Sequence, residues 1–281
     1  MTTSQFSFAG TFAKEMSVAT RAARAAGEVV MRYHGGALEV ELKDGDEPVT
    51  AADRESSALI CEALASEFPG DIVISEENPD DLRRIEATRV WYVDPIDGTR
   101  DFVRGEDGFC VMIGLVLEGK PALGVVHQPL HDVTYLASPG AGAWRQSGLG
   151  SPLEPLSVSD ETVPSGLRLL VSKSHRDSSI DAIKRAVGIG HEHRVGSIGL
   201  KLGLLATGSH DLYVTFTNKC STWDTAAPAA ILAEAGGLIT DVRGKPLRYD
   251  CESVKHESGL LASNGAVHES VVTALEPIFS I

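Results

Sequence analysis

The stretch VWYVDPIDGTRDF, Val90 to Phe102, ends an apolar run on Asp94 and places Asp97 three residues later. Pro95 cannot continue a strand ladder, so both acids fall at the exposed end of that strand. Two carboxylates there repel each other unless a cation lies between them, and hard oxygen ligands select Mg²⁺ over a softer metal. Gly98 and Thr99 follow at once, and their backbone N–H groups could hold an anion such as phosphate. Candidate metal ligands and a phosphate cradle thus share six residues, Asp94–Thr99. The competing reading is a capped turn, since Asp, Pro, Gly and Thr all form turns.

Three further acidic positions bear on that choice. Glu76-Glu77 directly follows the short apolar run Ile72–Ser75, which puts these carboxylates at a strand end as well. Asp53 closes PVTAAD and Asp224 follows Trp223, each at the start of a helical pattern. An acid in a helix's first turn is a common cap, so each alone is more often structural. Their force lies in the combination.

Asp53 in PVTAAD, Glu76 in ISEEN, DPIDGT at Asp94–Thr99 and WDTAAPAAILAEAGG at Trp223–Gly237 resemble the four signatures of the lithium-sensitive, Mg²⁺-dependent phosphatase superfamily. Inositol monophosphatase, fructose-1,6-bisphosphatase and the 3′(2′),5′-bisphosphate nucleotidases belong to it. The match spans roughly Lys43 to Leu261, in the family's order and spacing. The resemblance implies two or three Mg²⁺ per site. Glu76, Asp94 and the Ile96 carbonyl would hold one ion, and Asp94, Asp97 and Asp224 a second. Thr99, polarised by Asp53 and near Glu76, would orient or deprotonate the attacking water, and the N–H groups of Gly98 and Thr99 would hold the phosphate. Li⁺ and Ca²⁺ would inhibit. No covalent intermediate is implied.

Within the superfamily the likeness runs to the bisphosphate nucleotidases, which remove the 3′-phosphate of 3′-phosphoadenosine 5′-phosphate. It rests on LLVSKSH (Leu169–His175), GSIGLK (Gly196–Lys201) and VKHESGLLAS (Val254–Ser263). It implies that His175, Ser197 and Lys201 contact the nucleotide. One departure stands out: many such nucleotidases carry Arg two residues after the Tyr preceding the WD motif, and here that position is Thr215. The alternatives are an inositol or histidinol monophosphatase, and a non-catalytic binder of phosphorylated metabolites. The pairing of Asp53 with Thr99 argues against the last, because binding alone needs no water-activating pair.

The elements that must position these residues follow from periodicity. Helical spacing is expected from Thr11 to about Tyr33, from Asp53 to Phe68, and as a charged segment over Asp80–Ala87. Strands are expected at Ile72–Ser75 and Val90–Val93, then as an antiparallel meander over Cys110–Leu117, Ala122–His127 and Thr134–Ala137. Gly140–Leu156, rich in Gly, Ser and Pro, marks a boundary between an α+β part (residues 1–150) carrying most metal ligands and an α/β part (151–281) carrying Asp224 and the substrate contacts. Strands at Leu167–Val171, Leu212–Thr215, Leu238–Asp241 and Leu260–Ala262 alternate there with helices at Ser178–Val187, Leu200–Thr207, Thr225–Ala235 and Val267–Leu275. His191-Glu192-His193 reads as a surface loop. The expected architecture is layered α/β, and the resemblance specifies αβαβα.

Composition restricts the rest. With 25 Lys+Arg against 39 Asp+Glu, net charge −14, a nucleic-acid partner is excluded, and an anionic substrate would need local cations. Cys61, Cys110, Cys220 and Cys251 form no CxxC pair and read as reduced thiols. No signal-peptide pattern opens the chain, and its longest apolar stretch, Val111–Leu117, is far too short to span a bilayer. The expectation is a cytoplasmic protein, monomer or homodimer, acting on a small phosphorylated substrate.

Overall fold

The computed structural model describes residues 11–36, 39–43, 47–173 and 179–279. Its first elements are α1 (Ala13–Tyr33), a hairpin of β1 (Val40–Lys43) and β2 (Glu47–Thr50), and α2 (Ala51–Glu67). Then come β3 (Ile72–Ser75), β4 (Arg89–Asp97), the short α3 (Thr99–Val103), β5 (Cys110–Leu117), β6 (Lys120–Gln128), β7 (Val133–Ser138), β8 (Gly142–Ser147) and β9 (Leu153–Pro155). The rest is β10 (Arg168–Ser172), α4 (Ser179–Val187), β11 (His191–Val195), α5 (Ile198–Ala206), β12 (Leu212–Thr215), α6 (Thr222–Glu234), β13 (Leu238–Thr240), β14 (Leu260–Ser263) and α7 (His268–Phe279).

Strands β3 to β9 lie side by side in chain order as a seven-stranded sheet, antiparallel except for the parallel pair β3–β4. The second sheet has the order β11-β10-β12-β14-β13. Helices cover both sheets, which is why β5 reads as an unbroken apolar run. Its Val111 and Ile113 join Trp91, Leu123, Met16, Ala23 and Ile60 in a core beneath α1 and α2. Its Cys110 and Met112 face the other way, against Leu202, Ile231, Tyr213 and Leu260, where α5 and α6 lie between the sheets. Leu169, Val171 and Leu261 pack on Ile183, Val271 and Leu275 of α4 and α7. Each fully buried Leu or Ile contributes roughly 1.5–3 kcal/mol relative to exposure. The stack is αβαβα, as expected. Among the described residues no helix is long and apolar enough to cross a membrane.

Two segments differ from expectation, and a third, Gly140–Leu156, holds strands that periodicity did not mark. Asp80–Ala87 is not an α-helix but a single 3₁₀ turn at Arg83–Ile85. The Asp80 and Asp81 carboxylates accept the Leu82 and Arg83 amides, and such local bonds compete with helix formation. Gly140–Leu156 contributes β8 and β9, which complete the first sheet. His191-Glu192-His193 lies in β11, not a loop, because the apolar strand β10 takes this exposed edge as a parallel partner.

Candidate active site

Strands β3 and β4 run parallel, with Ser75 opposite Val93, so Glu76 and Asp94 emerge together at one end of the sheet. The Glu76 amide donates to the Val93 carbonyl at 3.1 Å, fixing that exit. After Asp94 the β4–β5 register slips, and pairing resumes only at Asp97 opposite Cys110. Pro95 supplies no N–H for the missing rungs. The Ile96 amide donates to Asp94 Oδ1 at 3.0 Å, and the Thr99 hydroxyl donates to the Ile96 carbonyl at 2.9 Å. Gly98 makes the turn into α3 at φ 96°, and a Cβ there would lie 2.3 Å from the Gly108 carbonyl oxygen. Only glycine satisfies both constraints.

Asp53 and Asp224 are delivered by the same device. Each is the third residue of a helix whose N-cap amide donates to its Oδ2: Thr50 to Asp53, and Ser221 to Asp224, both at 2.7 Å. One oxygen of each is thereby fixed. Asp53 Oδ1 lies 3.5 Å from Thr99 Oγ1. Asp224 enters the cleft because α6 rests directly on the first sheet. A Cβ at Gly114 would lie 2.5 Å from the Ala227 nitrogen, and one at Gly124 2.1 Å from the Ala227 oxygen.

Asp97 is held from the opposite side. Its Oδ2 accepts the Ser197 hydroxyl and, at 2.7 Å, the Gly199 amide, both from the start of α5. Ser197 also caps α5, its oxygen accepting the Leu200 amide at 3.0 Å. Lys201 is buried; its Nζ donates to the Gly196 carbonyl at 2.8 Å and stands 4.8 Å from the centre of the Tyr213 ring.

One cleft is lined by Glu76, Asp94, Ile96, Asp97, Gly98, Thr99, Lys201 and Asp224. Asp53 lies behind Thr99 and Ser197 behind Asp97, while His175 falls outside the described residues. Burial raises the pKa of Asp94 well above the ordinary range, and repulsion from Glu76, Asp97 and Asp224 adds to it. Asp224 is raised in the same way, by burial and then by Asp97 and Glu76. Burial pushes Glu76 up to about 7 against the pull of Lys43, and Asp53 up to about 6 against its bonds from Thr50. Among the described residues, no three acidic, His or Cys side chains converge closely enough to ligate one ion as they stand. The donor chemistry nevertheless fits a hard divalent cation, because anionic oxygens kept from water repel one another until a cation replaces their protons.

The sequence pattern of the inositol monophosphatase family matches residues 13–279. The chain belongs to the inositol monophosphatase family. It is 39% identical over 233 residues to the 3′(2′),5′-bisphosphate nucleotidase CysQ of Salmonella typhimurium, covering 81% of this chain and 90% of that one. Its fold matches an inositol monophosphatase from Anabaena (Nostoc) with TM-score 0.77 and 28% identity, covering 95% and 97% of the two chains. CysQ from Bacteroides thetaiotaomicron gives TM-score 0.77 and 27% identity over 90% and 98%.

This member of the inositol monophosphatase family also uses residues that its motifs do not advertise. Lys43 of β1 bonds Glu76 at 3.1 Å and Glu77 at 2.5 Å. It stands at the head of the polar run Lys43–Glu47 that leads into PVTAAD. Cys110 packs its sulfur 3.1 Å from the Ser197 hydroxyl, behind Asp97. Lys219 and Lys255 line the cleft without lying in any acidic motif.

Proposed function

We propose that the protein is a Mg²⁺-dependent phosphomonoesterase that removes the 3′-phosphate of adenosine 3′,5′-bisphosphate, giving AMP and phosphate. The observation that carries the reading is the convergence of Glu76, Asp94, Asp97 and Asp224 on one cleft beside the Thr99–Asp53 pair. The nucleotidase relatives at more than a third identity supply the substrate class.

Glu76, Asp94, the Ile96 carbonyl, Asp97 and Asp224 would hold the cations. Bound Mg²⁺ supplies charge neutralisation at the phosphate and a lower pKa for water. The Gly98 and Thr99 amides receive a phosphate oxygen at the turn that opens α3. Thr99 Oγ1 directs a water at phosphorus, and Asp53, poised near pH 6, takes up the proton through it. The water oxygen bonds to phosphorus as the P–O bond to the ribose 3′-oxygen breaks, and that oxygen leaves with a proton from solvent water, while the proton held by Asp53 returns to solvent. Lys201, which lines the cleft, would meet the substrate's phosphate as a point charge.

The second reading, hydrolysis of inositol 1-phosphate, is favoured by the fold match to the Anabaena enzyme and uses the same hydrolytic residues. Phosphate release from adenosine 3′,5′-bisphosphate, inositol 1-phosphate and histidinol phosphate, measured side by side, tests the choice. A kcat/KM highest for the bisphosphate is expected, and a preference for inositol 1-phosphate overturns it.

A further inference from the structure

The wall of the cleft beyond Tyr213 carries Thr215 and Thr217. The Thr215 hydroxyl lies 3.2 Å from that of Thr217 and accepts the Thr217 amide at 3.4 Å. This stretch therefore offers hydroxyls and no charge. Two cations reach the same cleft from elsewhere. Lys219 lies in the connection between β12 and α6, and Lys255 in the connection before β14.

These connections are pinned side by side. Ser221 and Lys255 form an antiparallel bridge, the Thr222 amide donates to the Val254 carbonyl, and the His256 amide to the Cys220 carbonyl, both at 2.8 Å. Lys255 Nζ reaches the Lys219 carbonyl at 3.4 Å, and no acidic side chain among the described residues forms an ion pair with either ammonium. In a chain of net charge −14, two unpaired ammonium groups at the mouth of an acidic cleft form a local attractor for anions.

We propose that Lys219 and Lys255 form the subsite for the second, non-scissile phosphate of a bisphosphorylated substrate. The inference rests on the nucleotidase reading above. Two ammonium groups on flexible stems suit a phosphate monoester dianion, which needs charge and donors but no fixed fork geometry.

The experiment compares kcat/KM for adenosine 3′,5′-bisphosphate with that for adenosine 3′-monophosphate, which keeps the scissile bond and lacks the second phosphate. Wild type, Lys219→Gln, Lys255→Gln, the double glutamine variant and the double arginine variant are measured, each with its melting temperature. The double glutamine variant is expected to lose about tenfold of the preference for the bisphosphate, mainly through KM. The arginine variant should retain it, and added salt should erode the wild-type preference. A preference unchanged in the glutamine variants, or an equal loss on both substrates, overturns the subsite alone. A wild-type enzyme that releases no phosphate from the bisphosphate overturns the nucleotidase reading, and the subsite with it.

Discussion

The Ser197 hydroxyl donates to the Asp97 carboxylate, so a helix lying between the two sheets holds an acid carried by the first sheet. With the Gly199 amide on the same oxygen, these donors pull against burial, which raises the Asp97 pKa. Ser197→Ala removes one donor and should weaken Mg²⁺ binding, raising the half-saturating Mg²⁺ concentration about tenfold at a cost of about 1 kcal/mol in stability. A Mg²⁺ titration of phosphate release, paired with a thermal melt, checks this. An unshifted titration would remove Ser197 from the support of the site.

Asp94→Asn keeps shape but deletes the charge placed between the other acids. Turnover should fall on the order of a thousandfold, because the cations that would offset the transition-state charge lose an anionic ligand. In chelator the variant should melt above wild type, since the repulsion Asp94 shares with Glu76, Asp97 and Asp224 is relieved. Normal turnover would remove Asp94 from the catalytic set.

Metal-free stability should depend on pH with a definite sign. Glu76, raised from 4.5 to about 7, binds its proton more tightly when folded, so its stabilisation is lost as pH rises toward and through 7. Asp94 and Asp224, also raised, act in the same direction. The buried His127 and His256, lowered to about 4, oppose this only below pH 6.5, where the unfolded chain takes up their protons. Between about pH 6.5 and 7.5 the melting temperature in chelator should therefore fall, and saturating Mg²⁺ should flatten the slope. Equal slopes with and without Mg²⁺ would contradict the placement of the cation among these acids.

Gly98→Ala meets two obstacles, a positive φ and the Gly108 carbonyl. The strained backbone costs about 1–3 kcal/mol, and relief of the contact would shift Thr99 and both N–H groups of the turn. Activity should fall by more than tenfold even where the variant remains folded, as circular dichroism and phosphate release can establish together. Full activity would mean that the turn does not hold the phosphate.

The legible part of the site was the part whose chemistry is local. Asp94, Pro95, Asp97 and Gly98 report a strand end, a broken ladder and a tight turn within one short stretch, and the structure has each of them. The capping geometry of Asp53 and Asp224 was half legible: first-turn acids were recognisable, but Thr50 and Ser221 set the helix starts a few residues earlier than periodicity placed them. The β1–β2 hairpin went unread because Val40 and Leu42 are exposed there and no buried face imposes alternation. Lys43, Lys219 and Lys255 were illegible for a different reason. A lysine in a polar loop carries no sign of what it will face, and only the fold brings these charges to the acids.

The seating of α6 on Gly114 and Gly124 has a consequence for how this protein can change over generations. Main chain rests on main chain there, so Asp224 cannot drift by exchanging one side chain for another of similar bulk. Thr215, Thr217 and Lys219, at the end of β12 and in the connection to that helix, line the same cleft. On the subsite proposed above, replacements among them can retune which phosphorylated molecule is admitted without displacing the acids. New preferences are therefore open to the descendants of this chain by single steps, each of which can leave hydrolysis intact.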